Sequence, residues 1–132
     1  MSGETNLKAL LENLRPRLLS TRYTFCSLPN ETYGACEHLS PLASVFEPEG
    51  LTLVLAVDQA EREGFRYQGV FRCLRLEIHS SLEAVGLTAA VSAALAKEGI
   101  SANLLAGAHH DHILVPEARA DEALEVLRQL GA

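Results

Sequence analysis

The densest group of chemically active side chains lies in the segment AGAHHDHILVP, residues 106–116. His109, His110, Asp111 and His112 occupy consecutive positions there. Imidazole and carboxylate groups can hold a metal, transfer protons or bind a polar ligand. Because side chains alternate along a strand, we expect His110 and His112 on one face and His109 and Asp111 on the other. The surrounding elements must therefore decide what the cluster does.

A metal site is one interpretation of this segment, but it is short of ligands. Two histidines at i and i+2 can begin a zinc site, whereas a closed site needs four ligands and a catalytic site three. His79, which ends a predicted strand, is the third candidate beside His110 and His112. A metal-binding sensor or small metal-dependent enzyme is therefore the alternative function, and histidines on a plain surface turn are a further interpretation.

The composition indicates a globular chain that binds small molecules or proteins. Its 132 residues, with 48% hydrophobic and 21% charged, fit one ordinary domain or two small subdomains. A net charge of −6 without a run of Lys and Arg argues against a nucleic-acid binder. No apolar run approaches the roughly 20 residues of a membrane span.

The start of the chain and the cysteines favour a cytoplasmic protein. Polar residues interrupt the leucines of residues 1–17, unlike the apolar core of a secretion signal. Cys26, Cys36 and Cys73 are odd in number and lack C-x-x-C spacing, so we expect reduced thiols. Cys36 and His38 lack a third catalytic group. We therefore predict a protein that is not an enzyme and needs no cofactor.

Apolar periodicity predicts a succession of short strands and helices. The first half is expected to contain a helix from Asn6 to before Pro16, a strand at 23–28, an irregular loop at 29–41, two strands within 43–57, and a short helix capped by Asp58 and ended by Gly64. The second half is expected to contain a strand at 69–80, a helix over about 83–98, a hairpin within 100–116 and a helix over about 118–130.

Two of these predicted elements have polar residues on one side and apolar residues on the other. In the strand at 69–80, Arg75, Glu77 and His79 form a polar or partner-facing side, while the other side is apolar except for Arg72. The helix at 83–98 carries one apolar stripe, formed by Leu87, Val91, Ala94 and Leu95.

The order of elements predicts an α+β fold with an antiparallel sheet covered by helices. From residue 70 the order is β-α-β-β-α, one strand short of the split βαβ pattern of ferredoxin-like folds. That strand is either absent or supplied by the first half of the chain. The first half reads as a reduced version of the same unit. We predict an N-terminal segment with a degenerate unit at 1–68 and a C-terminal unit at 69–132.

The segment HSSLEAVGLTAAVSAALAKEGISANLLAGAHHDHILVP resembles an ACT domain, the regulatory module that binds amino acids in aspartate kinases. The matching features are a strand, the turn VGLTAAV into a helix that ends at KEGIS, a hairpin, and a last helix in EARADEALEVL. This C-terminal part is also similar to the ACT units of the animal cytosolic arginine sensor and of small bacterial tandem-ACT proteins, and the bacterial proteins share HHDH followed by LVP. YTFCSL and EGLTLVL resemble their degenerate first unit more weakly. Nothing resembles the catalytic domain that ACT modules usually regulate.

The resemblance implies a ligand site at the turn before the long helix. The first N–H groups of a helix lack partners and carry the positive end of the helix dipole, so a carboxylate can bind there. Gly86 lets a ligand approach the backbone closely. The resemblance implies main-chain contacts from residues 82–88. The alternative is an ordinary helix start capped by Ser80 or Ser81, with Gly86 needed only for packing.

The resemblance also implies that Asp111 contacts the cationic end of the ligand. A carboxylate beside a helix N-terminus matches a zwitterion. The alternative is that Asp111 only stabilises the hairpin turn. Asn103, on the adjoining strand, needs hydrogen-bond partners if it is buried, and a ligand, a subunit interface or a neighbouring strand would supply them.

We therefore predict a cytoplasmic, free-standing tandem ACT-type module that binds an amino acid or similar small zwitterion at an interface between ACT units and signals to a regulated protein partner. A homodimer is expected because pairing hides exposed sheet edges. The predicted ligand-binding residues are Ser81, Leu82, Glu83, Val85, Gly86, Leu87, Thr88, Asn103, Leu104, His110 and Asp111.

Overall fold

The computed structural model describes Gly3 and residues 5–132, which form an α+β fold. In chain order the helices and strands are α1 (Leu7–Glu12), β1 (Pro16–Leu28), β2 (Ala43–Glu47), β3 (Gly50–Ala56), α2 (Val57–Arg62), β4 (Tyr67–Leu76), α3 (Leu87–Lys97), β5 (Asn103–Ala106), β6 (Asp111–Pro116) and α4 (Ala120–Leu130). Single 3-10 turns lie at Glu37–Leu39 and Glu117–Arg119. The strands form a six-stranded antiparallel sheet in the order β2-β3-β1-β4-β6-β5, so the predicted fold class is confirmed.

Unit 1 contains the described residues up to Ser20 together with Arg72–Ala132. Its strand order is β1-β4-β6-β5, and its chain order from β4 is β-α-β-β-α, as predicted. The strand that the second half lacks is supplied by the beginning of β1, which completes a ferredoxin-like arrangement.

Unit 2 comprises Thr21–Phe71, with strand order β2-β3-β1-β4. Its first helix is reduced to the 3-10 turn Glu37–Leu39, inside the segment predicted to be an irregular loop. Besides that turn, unit 2 contains one helix, α2.

Each unit has its own apolar core. In unit 1 the predicted stripe of α3 is buried at Leu87, Val91 and Leu95, while Ala94 is half-buried. These side chains pack with buried residues of α1, of the segment between α1 and β1, and of β4, β6 and α4, namely Leu10, Leu14, Leu74, Leu76, Ile113, Val115, Ala123 and Leu127. The core of unit 2 contains Cys26, Leu51, Leu53, Leu55 and Ala60.

Four predicted boundaries are wrong. Strand β4 ends at Leu76, four residues before the predicted 80. Strand β1 begins at Pro16, seven residues before the predicted 23, because proline is tolerated at the first position of a strand. Helix α2 begins at Val57, so Asp58 lies in its first turn and does not cap it. Helix α3 begins at Leu87 and not at 83, since residues 81–84 form a separate turn.

Arg72, the polar exception on the apolar side of β4, has a defined partner. Its Nε and Nη2 donate hydrogen bonds of 3.0 and 2.8 Å to the Leu19 carbonyl oxygen. The guanidinium is thereby satisfied within unit 1. None of the described helices is long and apolar enough to cross a membrane.

The three cysteines are free and differ in accessibility, which predicts their order of reaction with a thiol reagent. Cys26 and Cys73 are fully buried, and burial raises the pKa of Cys73 to about 11. Cys36 is only partly buried. Because the thiolate is the reactive form, we expect one thiol to react in the native protein and two more only after unfolding. Mass spectrometry of labelled peptides would identify Cys36 as the early site, and early labelling of Cys73 would contradict the buried position.

Candidate ligand site

The turn before α3 is held by its own backbone. Ser81 Oγ accepts a hydrogen bond of 3.1 Å from the Glu83 N–H, and the Ala84 N–H donates to the Ser81 carbonyl at 3.0 Å. Gly86 precedes the helix with φ +100°, a left-handed conformation that favours glycine. Within the described residues, no side chain caps α3. Ser81 therefore caps the preceding turn, and the α3 N-terminus has no side-chain cap from Gly3 or residues 5–132.

Gly86 also serves packing, as the alternative interpretation proposed. A Cβ at Gly86 would lie 3.1 Å from Leu7 Cδ2. Leu7 would have to move by a few tenths of an ångström to admit a Cβ, so the φ angle is the stronger reason for glycine here and the contact with α1 adds to it.

The hairpin places Asp111 at the first position of β6. Ala106 pairs with Asp111 across the strands, and the Gly107 N–H donates a 3.0 Å hydrogen bond to the His110 carbonyl. His109 and His110 therefore lie in the turn and not in a strand. Side chains alternate between the two faces of the sheet only from Asp111 onward. Because His110 precedes the strand, alternation does not place it on the same face as His112. Asp111 and His112 lie on opposite faces.

The Asp111 carboxyl group lies half-buried without an ion-pair partner. Burial raises its pKa above the ordinary value, and the neighbouring His112 and His110 lower it. Among the described residues, none forms a hydrogen bond or ion pair with its carboxylate. A partly desolvated carboxylate in this state attracts a cationic group.

His112 occupies a second half-buried position beside a positive charge. Burial is the main cause that lowers its pKa, Arg75 lowers it further, and a hydrogen bond with the Leu105 backbone opposes the shift. His112 is therefore neutral at pH 7, and Leu105 is its cross-strand neighbour.

The hairpin turn and the segment leading to the α3 turn lie against each other. His110 Nδ1 is 3.4 Å from the Ile78 carbonyl oxygen. The rings of His79 and His109 meet edge to face, with centroids 5.0 Å apart. The structure thus brings Asp111 and the turn to the same end of unit 1.

The other predicted site residues differ widely in exposure. Leu87 and Leu104 pack into the core of unit 1, so only their backbone can contact a ligand. Asn103 is exposed because β5 is an edge strand, and the argument from a buried amide does not apply to it. Leu82, Glu83, Val85 and Thr88 are exposed as well.

Sequence reasoning missed a charged group beside the hairpin. Glu77 Oε1 accepts hydrogen bonds from Arg75 Nε at 3.3 Å and Nη2 at 3.1 Å, and Arg17 Nη1 lies 3.9 Å away. The Arg75 hydrogen bond is the largest cause that lowers the pKa of Glu77, and Arg17 and His110 contribute. Alternation along the predicted strand placed Arg75 and Glu77 on a polar face. Their approach to the hairpin depends on the pairing of strands that are far apart in the sequence.

The N-terminal segment is a second feature that the sequence did not indicate. A Cβ at Gly3 would lie 2.6 Å from Ser80 C and Ser81 N, and 2.8 Å from the His79 carbonyl oxygen. The Gly3 backbone therefore packs directly on residues 79–81, next to the turn assigned to the ligand. A glycine close to the chain start carried no signal for this contact.

No metal centre is formed by the part of the chain that the structure describes. Gly3 and residues 5–132 contain no group of three or more His, Cys, Asp or Glu side chains arranged to hold a metal ion. His79 contacts His109, as described above, and does not join His110 and His112 as a third ligand.

A two-unit, ferredoxin-like arrangement with a candidate small-ligand site at one sheet end defines a class of regulatory module. The ACT domain family matches this chain twice, at residues 2–72 and at residues 69–129. The chain therefore belongs to the ACT domain family and carries two ACT domains in tandem, which confirms the resemblance. The division predicted after residue 68 stays a prediction.

Solved structures from bacteria share this fold. A Vibrio cholerae protein of unknown function, described as a possible transport protein, is 42% identical over 96% of both chains, with a TM-score of 0.86. An Agrobacterium tumefaciens protein is 18% identical over 88% of this chain and 87% of its own, with a TM-score of 0.72. The regulatory subunit of Thermus flavus aspartate kinase, 11% identical over 89% and 97%, has a TM-score of 0.65 and shows the fold alone. No curated protein matches the chain.

The lowered pKa of His112 predicts a loss of stability in mild acid. Below the ordinary value of 6.5 the unfolded chain binds a proton at this position and the folded chain does not. The free energy of unfolding should therefore fall as the pH is lowered through about 6.5, because protonation then favours the unfolded chain. Urea titrations of wild type and His112→Gln would check this, because the variant lacks this contribution. The exposed His38 provides the control, His38→Gln, which should keep the wild-type pH dependence.

The close packing of Gly3 predicts that a single methyl group loosens the N-terminal segment. In Gly3→Ala the Cβ overlaps backbone atoms of residues 79–81, an overpacking that costs about 1–3 kcal/mol locally. Hydrogen exchange at residues 79–86 should accelerate on the order of tenfold. Amides of α4 in the same spectra serve as the internal control, and equal exchange in both proteins would contradict the contact.

Proposed function

We propose that this tandem ACT protein is a free-standing regulatory module that binds an amino acid or a similar small zwitterion and signals to a protein partner. The observation that carries the proposal is the half-buried Asp111 carboxylate without an ion-pair partner among the described residues. It lies at the sheet end where the turn before α3 also lies, joined through the contact of His110 with Ile78. Membership in the ACT family supports a regulatory role that is not catalytic.

The proposed site has one end for each charge of a zwitterion. The Asp111 carboxylate attracts an ammonium group, since a charge-assisted hydrogen bond is stronger than a neutral one. The α3 N-terminus, which no described side chain caps, offers N–H groups and the positive end of the helix dipole to a carboxylate. Exposed Glu83 and Thr88 border this turn and supply polar groups at its rim.

The proposal extends to assembly and cellular setting. The turn before α3 is open to solvent, so an ACT unit of a second copy would complete the enclosure of a ligand, as the predicted interface site requires. We propose a homodimer in the cytoplasm that passes the ligand signal to a separate protein. The net charge of −6 does not favour nucleic-acid binding.

The direct test is a thermal-shift screen of the twenty common amino acids, followed by calorimetry. A ligand at 100 times its Kd stabilises the folded state by about 2.7 kcal/mol, which is readily detected. Asp111→Asn should weaken binding of the identified amino acid by about 10-fold to 100-fold, because it removes a charge-assisted hydrogen bond of about 1.5–3 kcal/mol. If no amino acid stabilises a correctly folded sample, the proposal fails.

The ligand-free stability of the same variant separates function from structure. Because the pKa of Asp111 is raised above 3.8, its ionised form costs folding free energy as the pH rises through the folded-state pKa. At neutral pH, Asp111→Asn should therefore be as stable as wild type or more stable. Asp121→Asn, at an exposed aspartate in the first turn of α4, is the matched control; it should leave binding unchanged and lower stability by no more than about 1 kcal/mol, the worth of its charge at the helix N-terminus. A strongly destabilised Asp111→Asn would indicate a structural role in the hairpin.

A further inference from the structure

Strand β2 is a free edge of the sheet in unit 2. It pairs with β3 on one side only, from Ala43 to Glu47. Two residues join the strands, so Glu47 and Gly50 close the hairpin as a hydrogen-bonded pair. Since such pairs alternate along an antiparallel ladder, the backbone N–H and C=O groups of Ser44 and Phe46 point away from β3. These outward groups can pair with one more strand.

The side chains of β2 are apolar and exposed. Val45 is 48% exposed and Phe46 is 58% exposed, and with Tyr33 they are the exposed large hydrophobic residues of unit 2, which the structure describes throughout. Phe46 lies opposite Leu51, a fully buried residue of the unit 2 core. The strand contains neither lysine nor proline, two residues that commonly shield an edge. An added strand would cover Phe46 and extend this core.

The charge of unit 2 indicates which kind of strand would pair there. Thr21–Phe71 contains seven Asp and Glu residues against three Arg, and residues 23–61, which include β2 and β3, contain no Lys or Arg. Glu47 ends β2, and its Oε1 accepts a hydrogen bond of 2.6 Å from Thr52 Oγ1. Because Thr52 lies opposite Val45, this carboxylate is held on the Val45 face of the strand. The exposed Glu49 follows in the turn.

We infer that β2 accepts an extended segment of a partner protein as an added strand, and that apolar and basic residues alternate in this segment. Side chains of an added strand alternate between two faces. On one face they meet Phe46, and apolar residues fit there. On the other face they meet Val45 and Glu47, which suits lysine or arginine, whose apolar stem covers Val45 while the charged head reaches the carboxylate.

Charge also disfavours a second copy of the chain at this edge. Its own β2 would bring the same glutamates to the interface, and like charges oppose association. A basic segment of a different protein meets no such repulsion. The inference gives the chemistry of the protein partner in the proposed function and rests on that proposal for the existence of the partner. It does not depend on Asp111 or on the turn before α3.

Hydrogen exchange of the full chain with a model peptide tests strand addition. The probe is a peptide of about seven residues in which valine and lysine alternate, and its counterpart replaces lysine by glutamate. With about 1 mM of the Val/Lys peptide, exchange of the Ser44 and Phe46 amides should slow at least about fivefold. The Val45 amide, which faces β3, is the internal control, and the Val/Glu peptide should leave all three unchanged. Unchanged exchange at Ser44 and Phe46 with the Val/Lys peptide overturns the inference.

Ser44→Pro separates strand addition from general attraction of a basic peptide to an acidic surface. Proline removes the outward N–H without changing the charge, and an edge strand tolerates it. Circular dichroism would check the fold. Affinity for the Val/Lys peptide, measured by fluorescence anisotropy, should fall at least about tenfold. Ser44→Thr keeps the N–H and should bind like wild type, whereas equal binding by Ser44→Pro and wild type contradicts strand addition.

Glu49→Lys provides a second variant that leaves the hydrogen bonds of β2 in place. It should weaken binding of the Val/Lys peptide on the order of threefold to tenfold, because it replaces an attractive charge by a repulsive one. Glu125→Lys on α4 is the matched control, an exposed glutamate of unit 1, and should bind the peptide like wild type. Equal weakening by both variants would mean that only the net charge attracts the peptide.

Two further measurements distinguish the other outcomes. If wild type self-associates in sedimentation equilibrium and Ser44→Pro abolishes this, β2 pairs with a second copy and the inference is overturned. If an amino acid stabilises the chain but the Val/Lys peptide protects neither Ser44 nor Phe46, the partner strand is refuted and the proposed ligand site stands. Protection by the peptide without stabilisation by any amino acid supports the partner strand and refutes the proposed ligand.

Discussion

In unit 1, one face of strands β4 and β6 packs against the helices. This apolar contact determines where the other parts of unit 1 lie. Leu74 and Leu76 of β4 and Ile113 and Val115 of β6 are buried together in this core. Side chains of the other parity, such as Arg75, must then point to the opposite face. Strands β4 and β6 are neighbours in the sheet, and the residues after β4 and before β6 are in contact, as the approach of His110 to Ile78 shows. The α3 turn and the hairpin turn are neighbours for this reason.

Two carboxyl groups at this end of unit 1 have opposite electrostatic environments. The hydrogen bonds from Arg75 lower the pKa of Glu77, whereas burial raises the pKa of Asp111. Asp111 shares the parity of Ile113 and Val115, so the packing that buries those residues also removes water from its carboxylate. Glu77 stabilises the folded state when ionised, and Asp111 does not. A carboxyl group whose ionised form destabilises the folded state is a better candidate for binding a ligand than one that already pairs with an arginine.

Local patterns predicted the elements of unit 1 well, because periodicity and turn residues act over a few positions. The hairpin, the buried stripe at Leu87, Val91 and Leu95, and the β-α-β-β-α order are all confirmed. The sequence could not decide whether the fourth strand existed, since the pairing of β1 with β4 joins residues far apart in the chain. The packing of Gly3 on residues 79–81 and the approach of His110 to Glu77 were missed for the same reason. In the site, the roles of Asp111 and Asn103 stay predictions, and the exposure of Asn103 could not be inferred from the sequence because edge position is a property of the whole sheet.

The turn before α3 can take part in several interactions at once, because each interaction uses different atoms of the turn. Its backbone carries the contact with Gly3, and the N–H groups at the start of α3 are the ones that a ligand carboxylate would use. Its side chains at Leu82 and Val85 point into solvent and are available for a second copy. The left-handed φ of Gly86 separates these roles, since it ends the turn and starts the helix within one residue. A bound carboxylate and a second protomer would therefore meet at one short segment without competing for the same groups, and each would restrict the motion of the turn that the other contacts.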